Sequence, residues 1–508
     1  MKIRSFSRCD DLGGNMILLE DKGTRVMMDF GENLDQVKRY FGGSLRARLA
    51  NGIEDYLEMN VLPDLEGVYR KDYLRHVGKT PAAEPYIDAL VISHAHRDHI
   101  KFVPYLRADI PIYCSTGTKK IMEWIEDQRK MSGLNHFTEV KKKFWFRRSK
   151  KNYKKKIRAK WNRLEGSRVK REFNLIEDGD TTNIGNFEIT AKEVNHPVPG
   201  SLGFLIESPN SRAVYTGDLE GDFTNERTTK DFIEAAKRFS PDILITEATS
   251  AGNEVQKRDS YGEINDEIRD TESLAMVKFA DSDLKRLEKV LEAAKKNDRK
   301  LVIKPSQAML IEKLNDAGVT NELTMDDPDL VSLIYQIGWG TVSNKVRSPS
   351  GKWKKISEMK WDVKSLEDVI HRDFNKRISK KILTDYDYIT PDGIKHSQEN
   401  FVVFSNFAGI INLIDFKPKK GSKFIQIGND LSQEKGFKEK LAENWLDHFD
   451  VSKTKLHIPP HIMHSEIEKV IEEIDPEKVV PVHTRNPESL DCGNREVIIP
   501  KKGKEYDL

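Results

Sequence analysis

The stretch Ile87–His99, which reads IDALVISHAHRDH, decides the fold of this protein. Its first six residues form an apolar run typical of a buried strand. Because side chains alternate along a strand, His94 and His96 lie on the same side, and the turn that follows brings Asp98 and His99 to that side as well. Imidazole and carboxylate groups suit zinc and, less specifically, manganese or iron, so this spacing indicates a catalytic metal site. A surface cluster of histidines is the alternative interpretation.

Three more candidate ligands stand at or after strand-like segments, in a fixed order along the chain. Asp29 follows the apolar run 26–28, His196 ends the segment VNH, and Asp218 ends the segment YTGD. Together with HxHxDH, this series resembles the metallo-β-lactamase superfamily. The resemblance implies an α/β fold, the αββα sandwich of that superfamily, in which Asp29 orients the metal site.

Three later residues extend the resemblance to the β-CASP nucleases, a branch of that superfamily that includes RNase J. Glu247 follows an apolar strand, His461 precedes a helix with apolar positions on one face, and His483 ends another strand-like run. With these motifs the chain resembles RNase J-like enzymes over nearly its whole length. We therefore expect an α/β β-CASP domain inserted into the parent sandwich.

The resemblance implies a set of metal ligands and a set of catalytic roles. The ligands are His94, His96 and His196 for one zinc ion, Asp98, His99 and His483 for the other, and Asp218 for both. The catalytic residues are Asp98, which orients the attacking hydroxide, His461, which faces the scissile phosphate, Glu247, which orients His461 or a ligand, and Asp29. Two Zn²⁺ ions are the expected cofactors, and Mn²⁺ is an alternative that the same ligands would accept.

The activity implied by this resemblance is the hydrolysis of phosphodiester bonds in single-stranded RNA by a hydroxide that two metal ions activate. The enzyme would act as a 5′-to-3′ exonuclease, an endonuclease or both, in RNA processing or decay. His483 favours RNA, since the DNA-repair members of the branch usually carry valine there. The other hypotheses are a DNA nuclease of the same branch, a small-molecule hydrolase of the parent fold, and a non-catalytic RNA-binding protein.

One departure from the family pattern concerns the substrate. RNase J-like enzymes usually carry Ser-Gly-His before the helix, whereas this chain has Pro459-Pro460-His461. Two prolines remove two backbone N–H donors and stiffen the loop. We expect this change to affect recognition of a 5′-monophosphate.

The length of 508 residues exceeds one ordinary core and predicts several domains. We assign residues 1–245 to the metallo-β-lactamase domain, with insertions near 32–86 and 118–172, and residues 246–456 to the β-CASP domain. Residues 457–508 return to the first domain. The Lys/Trp-rich part from about 342 to 362 and the polar part from 386 to 400 are predicted to be loops or decorations on the β-CASP domain.

The insertion near 118–172 contains the most biased segment of the chain. Residues 141–163 include no acidic side chain, and aromatic residues alternate with lysine and arginine. Cations neutralise phosphates and aromatic rings stack on unpaired bases, so this composition predicts contact with single-stranded nucleic acid. A solvated basic surface is the alternative. The candidate RNA-binding residues are Lys143, Trp145, Arg147, Arg148, Tyr153, Lys155 and Trp161.

Composition and charge set the remaining expectations. The net charge is +2, and the three cysteines are far apart, which argues against a disulfide framework and suits a reducing cytosol. The first residues form no apolar signal segment, and no run reaches the about 18 apolar residues of a membrane span. We expect a soluble cytoplasmic protein without membrane contact. The family resemblance adds a homodimer as a candidate assembly.

Overall fold

The computed structural model describes the chain over residues 1–7, 11–42, 45–48, 51–128, 136–140, 142–148, 157–163, 169–221, 227–253, 260–320, 322–333, 345–347, 353–355, 386–428, 436–458 and 460–508. The chain divides into two compact units. Unit 1 comprises Met1–Glu126, Met131–Val255 and His461–Leu508, and unit 2 comprises Asp127–Lys130 and Gln256–Pro460. The sequence places the two divisions at 245/246 and 456/457.

The described strands of unit 1 are β1 (Lys2–Ser5), β2 (Ile17–Asp21), β3 (Thr24–Met28), β4 (Ala89–Val91), β5 (Ile112–Cys114), β6 (Glu139–Val140), β7 (Lys142–Arg148), β8 (Ile157–Arg163), β9 (Val169–Lys170), β10 (Phe173–Leu175), β11 (Thr181–Ile184), β12 (Phe187–Glu193), β13 (Leu202–Glu207), β14 (Arg212–Tyr215) and β15 (Ile243–Glu247). Those of unit 2 are β16 (Ala275–Lys278), β17 (Lys300–Ile303), β18 (Leu330–Leu333), β19 (Lys345–Arg347), β20 (Trp353–Lys355), β21 (Tyr388–Ile389), β22 (Phe401–Phe404), β23 (Lys423–Ile427) and β24 (Ser452–Leu456). Unit 1 resumes with β25 (Lys478–Val482), β26 (Glu496–Val497) and β27 (Glu505–Asp507).

The described helices are α1 (Leu34–Tyr40), α2 (Glu54–Glu58), α3 (Lys71–His76), α4 (Arg97–Ile100), α5 (Thr116–Asp127), α6 (Arg227–Phe239), α7 (Ser260–Arg269), α8 (Leu284–Lys296), α9 (Pro305–Asn315), α10 (Pro391–His396), α11 (Leu413–Phe416), α12 (Phe437–His448) and α13 (His464–Ile474). Short helices α1 to α3 occupy the insertion predicted near 32–86.

Unit 1 contains two seven-stranded sheets. The first has the order β10-β5-β4-β3-β2-β1-β27 and the second the order β11-β12-β13-β14-β15-β25-β26. Their inner faces share one core, in which Val91 of the first sheet and Phe204, Tyr215 and Val482 of the second are fully or almost fully buried. Helices α6 and α13 cover the other face of the second sheet through a separate apolar cluster. Two sheets packed face to face, with helices over the outer face of the second, confirm the predicted sandwich.

Unit 2 is built on one seven-stranded sheet with the order β21-β18-β17-β22-β16-β23-β24. All of its strand pairs are parallel. Helices between successive strands suit such a sheet, because parallel strands need crossover connections. This is the α/β domain that the sequence predicts. The part 386–400, predicted to be loops or decorations, contains the short strand β21, which pairs with β18, and the short helix α10. Thr390 caps α10 by accepting a hydrogen bond from the backbone of Gly393.

The basic insertion of unit 1 contains an antiparallel ribbon of two strands, β7 and β8. Their register pairs Trp145 with Lys160, Phe144 with Trp161 and Arg147 with Arg158. Within the part of the chain described above, no helix is both long enough and apolar enough to cross a membrane.

Candidate metal centre

The predicted site residues of unit 1 gather at one edge of the sandwich. Strands β3, β4, β12, β14 and β25 are each followed within a few residues by a candidate ligand or orienting residue, and β15 ends on Glu247. These strands run in the same direction within their sheets, so their carboxyl ends meet at one edge. Six separate strands therefore deliver the side chains of a single site.

Two of these side chains stand on unusual backbone. Asp29 and His483 each follow a strand and have φ of 58° and 59°, a left-handed conformation that non-glycine residues rarely adopt. Gly31 allows a close approach, because a Cβ atom there would lie 1.5 Å from the backbone oxygen of Asp98. Strained backbone of this kind concentrates at functional sites.

Three imidazole nitrogens converge at the first group of candidate ligands. Nδ1 of His96 lies 3.0 Å from Nε2 of His94 and 2.9 Å from Nε2 of His196. Burial, reinforced by neighbouring histidines, lowers the pKa of His94 and of His196 well below the ordinary value. Burial also lowers the pKa of His96 to about 4. Neutral imidazoles that point lone pairs at a common position form a site for a metal ion.

A second group lies beside the first. Nε2 of His483 is 2.9 Å from Oδ2 of Asp98, and Nε2 of His99 is 3.3 Å from Oδ2 of Asp218. Burial opposes the charged imidazolium, but carboxylates led by Asp218 raise the pKa of His99 and of His483. For Asp98, burial is outweighed by the partners His483 and His99, and its pKa falls. An ionised carboxylate with two imidazoles is a donor set that could hold a divalent metal ion.

Asp218 lies between the two groups. Its carboxylate belongs to the set formed with His94, His96 and His196, and it also approaches His483 and His461. Both carboxylate oxygens, together with Nε2 of His99, are buried and make no hydrogen bond within the described structure. Buried polar atoms without partners are costly. Divalent ions held at the two groups would satisfy them, so the residues present fit the metals that the superfamily implies.

Asp29 accepts hydrogen bonds from residues that surround the candidate ligands. Its Oδ2 accepts hydrogen bonds from Nδ1 of His99 at 2.8 Å, from the hydroxyl of Ser93 at 2.8 Å and from the hydroxyl of Tyr215 at 2.6 Å, and its Oδ1 accepts from the backbone of Ser93. His99 therefore carries its proton on Nδ1 and presents Nε2 to the metal site. The Ser93 hydroxyl, which donates to Asp29, accepts in turn from Nδ1 of His94 at 3.0 Å.

His461 and Glu247 form a pair beside the ligands. Nδ1 of His461 lies 3.2 Å from both carboxylate oxygens of Glu247, which is completely buried. Although burial lowers it, the carboxylates of Glu247 and Asp218 raise the pKa of His461 to about 9. Thr249 joins the pair to the metal ligands, since its hydroxyl is 2.8 Å from Nδ1 of His483 and 3.3 Å from Nδ1 of His461.

The structure thus brings together all ten residues that the sequence places at the metal and catalytic site. The predicted RNA-binding residues lie elsewhere: Lys143, Trp145, Arg147 and Arg148 are on β7, Trp161 is on β8, and Tyr153 and Lys155 fall outside the described residues. The sequence interpretation assigned no role to Ser93, Thr249, Tyr215 or Asn15. Ser93 and Tyr215 stand inside the recognised motifs, which is the signal that points to them.

Part of this chain is similar in sequence to known proteins. Residues 83–261 match the model of the Metallo-beta-lactamase superfamily. Ribonuclease J of Corynebacterium glutamicum is 25% identical over 224 residues, which are 42% of this chain and 26% of that protein. Ribonuclease J of Mycoplasma genitalium is 22% identical over 313 residues, 59% of this chain and 43% of that protein. Cleavage and polyadenylation specificity factor 73 of Drosophila melanogaster is 24% identical over 269 residues, 51% of this chain and 30% of that protein.

A solved structure matches the whole chain. The crystal structure of a protein of unknown function from Enterococcus faecalis has a TM-score of 0.67 at 19% identity and covers 100% of this chain and 99% of that chain. The likeness shows the fold. The alignments with the curated relatives above span less than half of each relative's length.

Unit 1 has the αββα sandwich that the sequence predicts, and an α/β domain is inserted in it. In sequence, residues 83–261 are similar to the metallo-β-lactamase superfamily, and the chain resembles the RNase J-like members of the β-CASP branch.

Proposed function

We propose that this chain is a two-zinc ribonuclease that hydrolyses phosphodiester bonds of single-stranded RNA. The observation that carries the proposal is the pair of ligand groups that share Asp218, with the His461–Glu247 pair beside them. Zinc suits the mixed nitrogen and oxygen donors, and manganese would bind the same set. When bound, two such ions lower the pKa of water and stabilise charge on phosphoryl oxygens.

His461 and Glu247 supply the proton transfer. With a pKa of about 9, His461 is protonated at neutral pH, and Glu247 holds its Nδ1. Its other nitrogen, Nε2, then carries a proton that can be donated to a phosphoryl oxygen or to the leaving ribose 3′-oxygen. Cleavage at that oxygen leaves a 5′-phosphate on the downstream product.

Asp98 and Asp29 keep the site in its working protonation state. The low pKa of Asp98 means that this carboxylate is ionised at neutral pH and can accept a hydrogen bond from the attacking water. Asp29 fixes the tautomer of His99 through the bond to Nδ1. Both residues therefore act through hydrogen-bond geometry rather than by attacking the phosphate.

Two observations support RNA as the polymer. The relatives described above carry the names Ribonuclease J and cleavage and polyadenylation specificity factor 73. The resemblance to the β-CASP branch also favours RNA, since its DNA-repair members usually have valine in place of His483. The β7–β8 ribbon adds cationic and aromatic residues on a two-stranded element. We assign the binding of RNA phosphates and bases to Lys143, Trp145, Arg147, Arg148 and Trp161 on this ribbon, and to Tyr153 and Lys155.

The test is a cleavage assay on end-labelled single-stranded RNA with either a 5′-monophosphate or a 5′-hydroxyl, alongside DNA of the same sequence. The zinc-loaded protein should cut both RNAs and leave the DNA intact, and Asp218→Ala should be inactive. A ladder from the 5′ end would indicate stepwise exonuclease action, and discrete internal fragments an endonuclease. Intact RNA with two metal ions bound would refute the proposal in favour of a small-molecule hydrolase or an RNA-binding protein.

A further inference from the structure

A chain of buried hydrogen bonds links the metal site to a loop near the N-terminus. The side-chain amide of Asn15 donates to the hydroxyl of Tyr215 at 3.0 Å, and that hydroxyl donates to Oδ2 of Asp29 at 2.6 Å. Oδ2 also accepts from His99 and from Ser93. Asn15, Tyr215 and Asp29 are 3% exposed or less, so the chain is shielded from water along its length.

The number of protons on each group determines which one donates in these hydrogen bonds. A tyrosine hydroxyl has one proton, and the amide of Asn15 supplies another to its oxygen, so the proton of Tyr215 is directed to Asp29. Asp29 accepts hydrogen bonds from the backbone and hydroxyl of Ser93, from the hydroxyl of Tyr215 and from Nδ1 of His99. These bonds fix the carboxylate in place, and the bond to Nδ1 sets the orientation of the His99 ring.

We propose that Tyr215 is a positioning residue for the metal site and acts through Asp29 on His99. Tyr215 is the last residue of β14 in the second sheet, three positions before Asp218, whereas Asp29 and His99 belong to segments that follow strands of the first sheet. The hydroxyl bond therefore ties the strand that precedes Asp218 to the opposite sheet. It holds the two halves of the ligand set at a fixed separation.

The ring of Tyr215 has a different task from its hydroxyl. The ring packs in the core between the two sheets and is fully buried. Phenylalanine would fill the same space without the hydroxyl, so Tyr215→Phe removes the hydrogen bonds and keeps the packing. If Tyr215 had only a structural role, Tyr215→Phe would lower the stability of the protein by a similar amount and would leave its metal affinity unchanged.

A matched control exists in unit 1. Tyr69 is also fully buried, and its hydroxyl donates to the backbone oxygen of Pro63. Tyr69→Phe therefore removes one buried hydroxyl bond that has no connection to a candidate ligand. Stability losses common to both variants are separated in this way from effects on metal binding.

The experiment measures the affinity of the metal-free full chain for zinc by competition with a chromophoric chelator. Tyr215→Phe should weaken binding of at least one ion by about 10- to 100-fold, the usual effect of losing a partner that orients a ligand. Asn15→Ala should weaken it in the same direction and by less, and Tyr69→Phe should bind as the unmodified protein does. Equal affinities for Tyr215→Phe and Tyr69→Phe would overturn the inference.

This inference rests on the metal site of the proposed function, but its test does not depend on RNA. Weakened zinc binding in Tyr215→Phe together with intact RNA would uphold the positioning role and refute the ribonuclease. Cleaved RNA together with unchanged zinc affinity in Tyr215→Phe would support the ribonuclease and refute the positioning role.

Discussion

Glu247 determines the charge of His461 in the proposed reaction. Its carboxylate lies 3.2 Å from Nδ1 and is the first of the groups that raise the pKa of His461 against the effect of burial. A histidine with a pKa of about 9 holds its proton at neutral pH and loses it as the pH rises through 9. Cleavage should therefore decline on the alkaline side near that value.

Glu247→Gln tests this dependence. The amide keeps the shape but removes the negative charge, so the pKa of His461 should fall and the alkaline decline should move to lower pH by about 1–3 units. The measurement is the rate of RNA cleavage between pH 6 and 10, with Glu234→Gln on the exposed side of α6 as the control. An unchanged profile for Glu247→Gln would contradict the assignment.

A second prediction concerns the hydroxyl of Thr249 and its effect on metal binding. Its hydroxyl contacts His483 and His461, and valine has nearly the same shape but no hydroxyl. Thr249→Val should weaken metal binding by about 10- to 100-fold, because Nδ1 of His483 loses its partner. Thr249→Ser should restore most of the affinity. Chelator competition on the three proteins decides the question, and equal affinity of the valine variant and the unmodified protein would count against it.

The metal ligands could be predicted from the sequence, whereas the residues that hold them in place could not. The spacing of HxHxDH follows the period of a strand, and the resemblance to the metallo-β-lactamase and β-CASP motifs pointed to Asp218 and His483. Partners such as Asn15 and Thr249 could not be found in this way. Their role depends on segments that are 200 and 234 positions apart in the chain and meet only through the fold.

At the scale of elements, the short segment after β3 is packed tightly against the HxHxDH turn. A Cβ atom on Gly31 would overlap the backbone of Asp98, whereas one on Gly42 would meet open space. Gly31→Ala should lower the free energy of unfolding by about 1–3 kcal/mol, the usual cost of overpacking, and should disturb metal binding. Gly42→Ala should do neither. Urea unfolding and zinc titration of both variants test this, and normal stability of Gly31→Ala would contradict the geometry.

The β7–β8 ribbon makes a prediction about RNA affinity. Replacing Lys143, Arg147 and Lys160 by alanine should weaken binding to single-stranded RNA. Each phosphate contact that is lost should flatten the slope of log affinity against log salt by about 0.7. Replacing Lys230, Lys237 and Arg238 on α6 by alanine removes the same number of charges and is the control. A salt dependence identical to that of the unmodified protein would remove the ribbon from the RNA-binding surface.

Regular elements could be predicted where the apolar pattern was strong, and not elsewhere. Buried strands such as β15 and amphipathic helices such as α8 and α13 follow the expected periods closely. The short elements β21 and α10 were missed because their residues are polar and partly exposed. Their structure comes from pairing with β18 and from the cap at Thr390, which are weaker signals in a sequence.

For the whole molecule, metal binding should be coupled to stability. The buried carboxylate oxygens of Asp218 make no hydrogen bond within the described structure, which is costly in the metal-free protein. Ions that bind the folded state stabilise it by mass action. Zinc at about 1,000 times its Kd should add about 4 kcal/mol per site. A chelator should therefore lower the Tm, and Asp218→Ala should abolish most of the response to zinc. An equal response in that variant would place the bound ions elsewhere.

We propose that two metal ions held through Asp218 enable this chain to cleave RNA. The most direct measurement is the initial rate of cleavage of single-stranded RNA as zinc is added to the metal-free protein. We predict that the rate rises steeply with the second equivalent and then levels off, while Asp218→Ala stays inactive throughout. Intact RNA at two bound equivalents, or cleavage that survives Asp218→Ala, would contradict the claim.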